Sequence, residues 1–435
     1  MKHVIVLTMT SSIGLVSLFA VDLIDLYFLT LLKNQSVVAG LGFAASIMFF
    51  NMSFSIGLSI AMSATVSKAL GAGENARARA LAQHNFIFSI VITAIVALVT
   101  WCFSRQLLEI VGAGGDALVF AQQYLHIILP SLPFLAIAMS GGALLRAMGA
   151  PNLSMLAMLT GAVVNVVLDP LFIFVLDLGI EGAAIASVFA RLAVGGTALG
   201  LIYFKYDFST RFNFSAFLTS VKEIKRIAIP TIGTQLATPF ANAYMTYEMA
   251  KFGESYIAGW TLTGRITPVV FGVIFALSAA VGPIYAQNFG AQYFHRVKRT
   301  LFDSSIFVTL YCTVAALSLY LSIEWIIQWF GAVGDAASFM RFVAVWIGPA
   351  FAFYGFLFVA NAAFNNLGYP LLSTLFNFSK ASIGTVPFVL IGANLMGANG
   401  VFLGNTLGNL VFGVIALISC FYTIKKISEK AIVNN

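Results

Sequence analysis

Residues 165–174 read Asn165-Val166-Val167-Leu168-Asp169-Pro170-Leu171-Phe172-Ile173-Phe174, which places a carboxylate inside a run apolar enough to lie in lipid. A charged side chain at that depth costs about 2.5–3.5 kcal/mol on insertion scales, so it marks an ion pathway or a paired site. The structural alternative is an Asp capping a helix end near the interface. In a helix, Asn165 and Asp169 share one face, one turn apart. Pro170 withholds the next backbone donor and can bend the helix beside the carboxylate.

Around this stretch the composition is that of a membrane protein. Of 435 residues, 60% are hydrophobic and only 9% charged, more apolar surface than a soluble globular chain of this size can hide. An all-α polytopic fold is therefore expected. Runs long enough to span, about 20 residues or more, fall at 4–32, 37–70, 84–104, 118–148, 153–177, 180–204, 226–252, 255–289, 301–323, 335–366, 370–394 and 397–423. The first run is too long for a signal peptide, contains Asp22 and Asp25, and lacks a small-residue cleavage site, so it reads as a retained helix. Alternating the loops puts sixteen lysines and arginines on the side of both termini. The other side holds only Lys33, Arg105, Lys251 and Arg341. Both ends are expected in the cytoplasm, with the chain in the cell's inner (plasma) membrane. The net charge of +7 then reflects loop topology and not nucleic-acid binding. The cysteines (Cys102, Cys312, Cys420) and four scattered histidines lack metal or redox spacing, which argues against a metal-centred enzyme.

The twelve spans divide into six and six at the polar stretch Lys205–Arg226. Gly71-Ala72 and Gly290-Ala291 lie 219 apart, as do Gly149 and Gly368; Gly182 and Gly400 lie 218 apart. A repeat at one offset implies two parallel six-helix halves with a cavity between them. The expected division is an N-terminal lobe over 1–204, an inter-lobe loop over 205–225, a C-terminal lobe over 226–424 and a tail over 425–435.

With these landmarks in place, the chain resembles the multidrug and toxic compound extrusion (MATE) family of cation-coupled antiporters. The resemblance rests on Asn165-x-x-x-Asp169-Pro170, on Gly179-x-x-Gly182-Ala183-Ala184, on the Gly-Ala loops at 71–72 and 290–291, on Gln287-Asn288-Phe289-Gly290-Ala291, and on Ile24-Asp25. It implies a V-shaped pair of lobes alternating between inward-open and outward-open states, coupled to H⁺ or Na⁺ entry. In the branch whose cation site lies in the N-terminal lobe, the coupling residues map onto Asp25, Asn165, Asp169 and Ser187, where Ser187 replaces a threonine. The region 230–238 of the seventh helix carries no acid, which favours that branch. The family's common proline near the start of the first helix is absent here, where Thr10-Ser11-Ser12 stand instead.

Counting at 1.5 Å per residue supports the grouping independently. Asp25 lies seven residues before Leu32, Asp169 eight before Asp177, and Ser187 seven after Ile180, all about 10–12 Å from the outer surface. Two close carboxylates titrate as a unit, which suits proton loading and release. The same oxygens with an amide and a hydroxyl suit Na⁺; the preference here leans to H⁺. Asp22 and Arg191 fall one layer deeper, and Arg191 is expected to pair with Asp22 or Asp169. Arg265 and Lys380 lie within C-terminal spans, and with Met48, Met52, Met139, Met158, Phe271, Phe275 and Tyr285 are candidates to line a substrate cavity. Pro130, Pro133, Pro230, Pro239, Pro268 and Pro283 mark bends or hinges. The expected activity is antiport of an amphiphilic small molecule by a monomer in lipid, without cofactor or nucleic acid. The alternative is a lipid-linked precursor flippase of similar two-lobed fold, kept open by the intramembrane bases Arg191, Arg265 and Lys380.

Overall fold

The computed structural model describes residues 2–32, 35–208 and 212–433. Among them the chain is helical throughout, with no strand. The first three spans are α1 (Lys2–Thr30), α2 (Gln35–Gly71) and α3 (Asn75–Cys102), followed by the short α4 (Ser104–Ile110). The fourth span is broken: α5 (Gly115–Ile128) passes through a 3₁₀ turn, Leu129–Ser131, into α6 (Leu132–Ala147). The fifth and sixth spans are α7 (Pro151–Pro170) and α8 (Gly179–Gly200). Then come α9 (Phe214–Ala250), α10 (Glu254–Gly290), α11 (Phe294–Phe330) and α12 (Gly334–Asn366). The last two helices are α13 (Pro370–Ser382) and α14 (Val386–Val433).

Among the described residues ten stretches are long and apolar enough to cross a membrane. One of them, Pro370–Glu429, reverses at Gly397, where φ is 60° and ψ −141°, and so supplies two passages. The more polar α9 stands where the seventh of the twelve expected spans falls. Prolines act where predicted in the fourth span, with Pro130 inside its 3₁₀ turn and Pro133 opening α6, while α10 runs through Pro268 and Pro283 without breaking.

The repeat is written into the backbone. Left-handed residues recur 219 positions apart: Gly73 with Gln292, Gly112 with Gly331, Gly115 with Gly334, and Gly149 with Gly368. Gly179 and Gly397 follow at 218. A positive φ is strained for most side chains, so its return at Gln292, which is not a glycine, shows that the turn recurs in the backbone and not only in the sequence.

Two compact units result, and they are not the two sequence halves. One comprises Ile13–Gln235; the other comprises Met1–Ser12 with Leu236–Asn435. The expected boundary at 205–225 therefore shifts into α9, and the first turns of α1 group with the C-terminal helices. Packing explains both shifts. Val4 is buried in one apolar cluster with Met245 and Met249. Upstream in α9, Thr231 donates to the Gly57 carbonyl of α2 at 3.0 Å. A Cβ at Gly57 would meet the Ile232 backbone at 2.7 Å, so that contact depends on glycine.

Candidate functional site

The acidic site lies within the Ile13–Gln235 unit and begins with a helix contact. Gly14 of α1 faces α7: a Cβ built there would stand 2.9 Å from Met158 Sδ, 3.2 Å from Met158 Cβ and 3.5 Å from Met155 Cα. As first and fifth spans, α1 and α7 cross in the same direction. Asp25 lies eleven residues beyond Gly14, and Asp169 lies eleven beyond Met158. Three turns, about 16 Å of rise, therefore carry the close contact at Gly14 to a level pair of carboxyl groups.

Asp169 is fully buried and Asn165 nearly so. Asn165 Nδ2 donates to Asp169 Oδ1 at 3.4 Å, one turn along the same face as the spacing predicts. The Asp169 carboxyl is also in side-chain hydrogen-bonding contact with that of Asp25. A hydrogen bond between two carboxyl groups requires a proton on one of them, so this arrangement suits a proton shared by the pair. Asn165 Oδ1 and Asp169 Oδ2 are buried without a hydrogen-bond partner among the described residues. The donor set is oxygen throughout, which fits either H⁺ or Na⁺.

Beyond the carboxylate, Pro170 ends regular α7 and Leu171–Val175 form a π-turn, the predicted bend. The sixth span crosses this turn closely. A Cβ at Gly182 would lie 2.6 Å from the Phe172 carbonyl oxygen. Ser187, at the expected depth on α8, is half-buried and makes no side-chain hydrogen bond among the described residues. The structure thus joins Asp25, Asn165 and Asp169, and leaves Ser187 on the neighbouring helix without a bond to them.

Arg191 takes a partner that the sequence reading missed. Its Nη1 donates to Ser131 Oγ at 2.8 Å and to the Ile128 carbonyl at 3.3 Å, at the 3₁₀ break in the fourth span. Tightening that turn sends the Leu132 amide to Leu129, which frees the Ile128 carbonyl for Ser131 Oγ and Arg191. Arg191 forms no ion pair with Asp169, which corrects that half of the expectation; the side chain of Asp22 lies outside the described residues. The pair of prolines flanking Ser131 was the available signal, since breaking a helix exposes a carbonyl that a buried cation can satisfy.

The expected cavity residues separate by packing. Phe271 and Tyr285 are fully buried in the apolar core of the other unit, so they are corrected to core residues. Phe271 stacks on Phe351 at 4.3 Å, and Phe275 meets Phe351 and Phe358 edge-on. Met48 is a core residue of the first unit, and Met158 packs on Gly14, while Met52 and Met139 are half-buried. Arg265 is exposed. Lys380, 9% exposed, directs Nζ to Asn405 Oδ1 at 3.1 Å and over the Tyr354 ring at 5.2 Å. Asn405 also escaped the sequence reading, although it stands 218 positions after Ser187 and the repeat pointed to it.

A family model described as MatE matches residues 11–171 and again residues 230–391. The chain belongs to the MATE family. The two matches start 219 positions apart, the spacing of the backbone landmarks. This MATE chain is 24% identical to the FAD transporter of Shewanella oneidensis, over 97% of its own length and 94% of that protein. It is 26% identical to the multidrug export protein MepA of Staphylococcus aureus over 62% of its length, which spans 60% of MepA. In fold it matches a variant of the Vibrio cholerae MATE transporter VcmN with a TM-score of 0.92, at 23% identity, covering 98% of this chain and 97% of that one. The family and its neighbours are multi-pass membrane transporters, which is the class the composition called for.

Proposed function

We propose that this MATE transporter is a secondary antiporter that exports an amphiphilic small molecule while H⁺ or Na⁺ enters, with Asp25, Asn165 and Asp169 as the coupling group and Ser187 as a neighbouring oxygen. The observation that carries the reading is the carboxyl pair, Asp169 buried and Asp25 half-buried, held level by α1 and α7 and supplied with an amide from the same face of α7. Ionised, such a pair inside an apolar unit is repulsive and poorly solvated; one proton or one Na⁺ relieves both penalties. Loading therefore favours whichever lobe arrangement brings the two acids together, and transport follows from differential affinity for two states. The multidrug export named for MepA and the FAD named for the Shewanella relative set the range of substrates to try. The charge distribution of the loops supports cytoplasmic termini and an inner-membrane location.

The deciding experiment is transport into reconstituted vesicles under a proton gradient or a sodium gradient, imposed separately. Wild type should accumulate substrate under one gradient and lose accumulation in Asp169→Asn and Asp25→Asn. Accumulation by Asp169→Asn at the wild-type level, or equal accumulation with neither gradient, would remove this mechanism and leave a facilitator or flippase.

A further inference from the structure

The unit that lacks the carboxyl pair carries a buried base in the same region of the repeat. Lys380 lies on α13, in the fifth span of its half, as Asn165 and Asp169 do in theirs. Asn405 stands on α14, 218 positions after Ser187. The proline of each half follows too, Pro170 in one and Pro387 in the other. Each fifth span loses regular helix, α7 after Pro170 and α13 after Ser382. Just past the end of α13 the Gly384 amide bonds to the Ser379 carbonyl, five residues back. The Lys380 carbonyl, deprived of that amide, accepts from Thr385 Oγ1 at 2.9 Å. The break is therefore built at Lys380 itself, and it turns Thr385 towards Asn405 Oδ1 at 3.5 Å.

Around the ammonium stand Asn405 and the face of Tyr354, whose hydroxyl hydrogen-bonds Thr238. An amide oxygen and an aromatic face both favour a cation without neutralising it. No carboxylate forms an ion pair with Lys380 among the described residues. An ammonium has three donors, and among the described residues one is used. Its unit thus offers a nine-tenths buried base with spare donors and, among the described residues, no acid paired to it, opposite in sign to the acidic pair of the other unit. A buried charge without a counter-ion is costly in an apolar unit and marks a substrate or ion pathway.

We infer that Lys380, Asn405, Thr385 and Tyr354 form a binding site for an oxyanion, a phosphate or carboxylate group borne by the transported molecule or by a lipid. Lys380 supplies the charge. Asn405 aims it, and Thr385 holds the helix break open beside it. The site deepens the transport reading by naming a substrate class, and it rests on that reading only for the guest being carried.

Equilibrium binding tests the site without any gradient, so its failure is distinct from failure of the antiport mechanism. Full-length protein, purified in a neutral detergent, is titrated with FAD, a fluorescent phosphate-bearing amphiphile, and with ethidium, a cationic one. In a separate arm, native mass spectrometry counts retained phosphatidylglycerol. Lys380→Met should weaken binding of FAD, retention of phosphatidylglycerol, or both, by tenfold or more, and leave ethidium within twofold. The arm that responds identifies the source of the oxyanion. Lys380→Arg should keep most of the binding. Asn405→Asp gives the ammonium an internal counter-ion and should weaken oxyanion binding tenfold with Lys380 still present. Unchanged FAD and phosphatidylglycerol binding in both Lys380→Met and Asn405→Asp, or an equal loss of ethidium, would overturn the inference.

Discussion

The register of the acidic pair depends on a glycine eleven residues away, and this can be tested quantitatively. Gly14→Ala places a Cβ 2.9 Å from Met158 Sδ, the movable end of a flexible side chain, so its effect should stay under about twofold. Gly14→Leu is different. Its Cβ already lies 3.2 Å from Met158 Cβ and 3.5 Å from the Met155 backbone, and its branch must find room beyond that. Overpacking of this kind costs about 1–3 kcal/mol and is relieved by moving α1 away from α7. A shift of about 1 Å takes a carboxyl–carboxyl hydrogen bond out of its bonding range. Losing a hydrogen bond to a charged group costs about 1.5–3 kcal/mol, one to two orders of magnitude in binding. Gly14→Leu should therefore need about 10–100 times more of the coupling ion for half-maximal driven transport in vesicles. Met158→Ala should restore much of the loss by returning volume at the contact. Gly42, where a Cβ meets nothing within 4 Å, is the control. Wild-type ion dependence in Gly14→Leu, or no rescue by Met158→Ala, would refute the register argument.

Three further outcomes follow from the same geometry. Asp169→Asn should abolish gradient-driven accumulation while leaving thermal stability within about 1 kcal/mol of wild type, since amide and acid have similar shape; a large fall in Tm would mark the residue as chiefly structural. Arg191→Ala removes the donor to Ser131 and the Ile128 carbonyl, and should destabilise the protein by about 1.5–3 kcal/mol, read as a lower Tm; an unchanged Tm would show that the 3₁₀ break needs no cation. Gly182→Val should prevent accumulation of folded protein, because its Cβ would press on the Phe172 backbone at 2.6 Å; normal expression with full transport would disprove that close crossing.

Much of this was legible in the sequence because two constraints act locally. Lipid demands long apolar helices, so the twelve passages could be counted. Helical spacing fixes which neighbours share a face, so the Asn165–Asp169 bond and the bend after Pro170 followed from four and one residue separations. The repeat was visible for the same reason: its turns keep a backbone conformation that few residues tolerate. What tertiary structure decided was every relation between helices. Which glycine lets α1 approach α7, whether Arg191 turns to an acid or to a broken helix, and whether an aromatic ring lines a cavity or fills a core all depend on crossing geometry, to which no single helix holds the answer. Phe271 and Tyr285 look the same in sequence whether buried or lining a wall, and only their neighbours placed them in the core. The boundary between the units moved into α9 because long helices pack with different partners along their length, a choice made by contacts far apart in the chain.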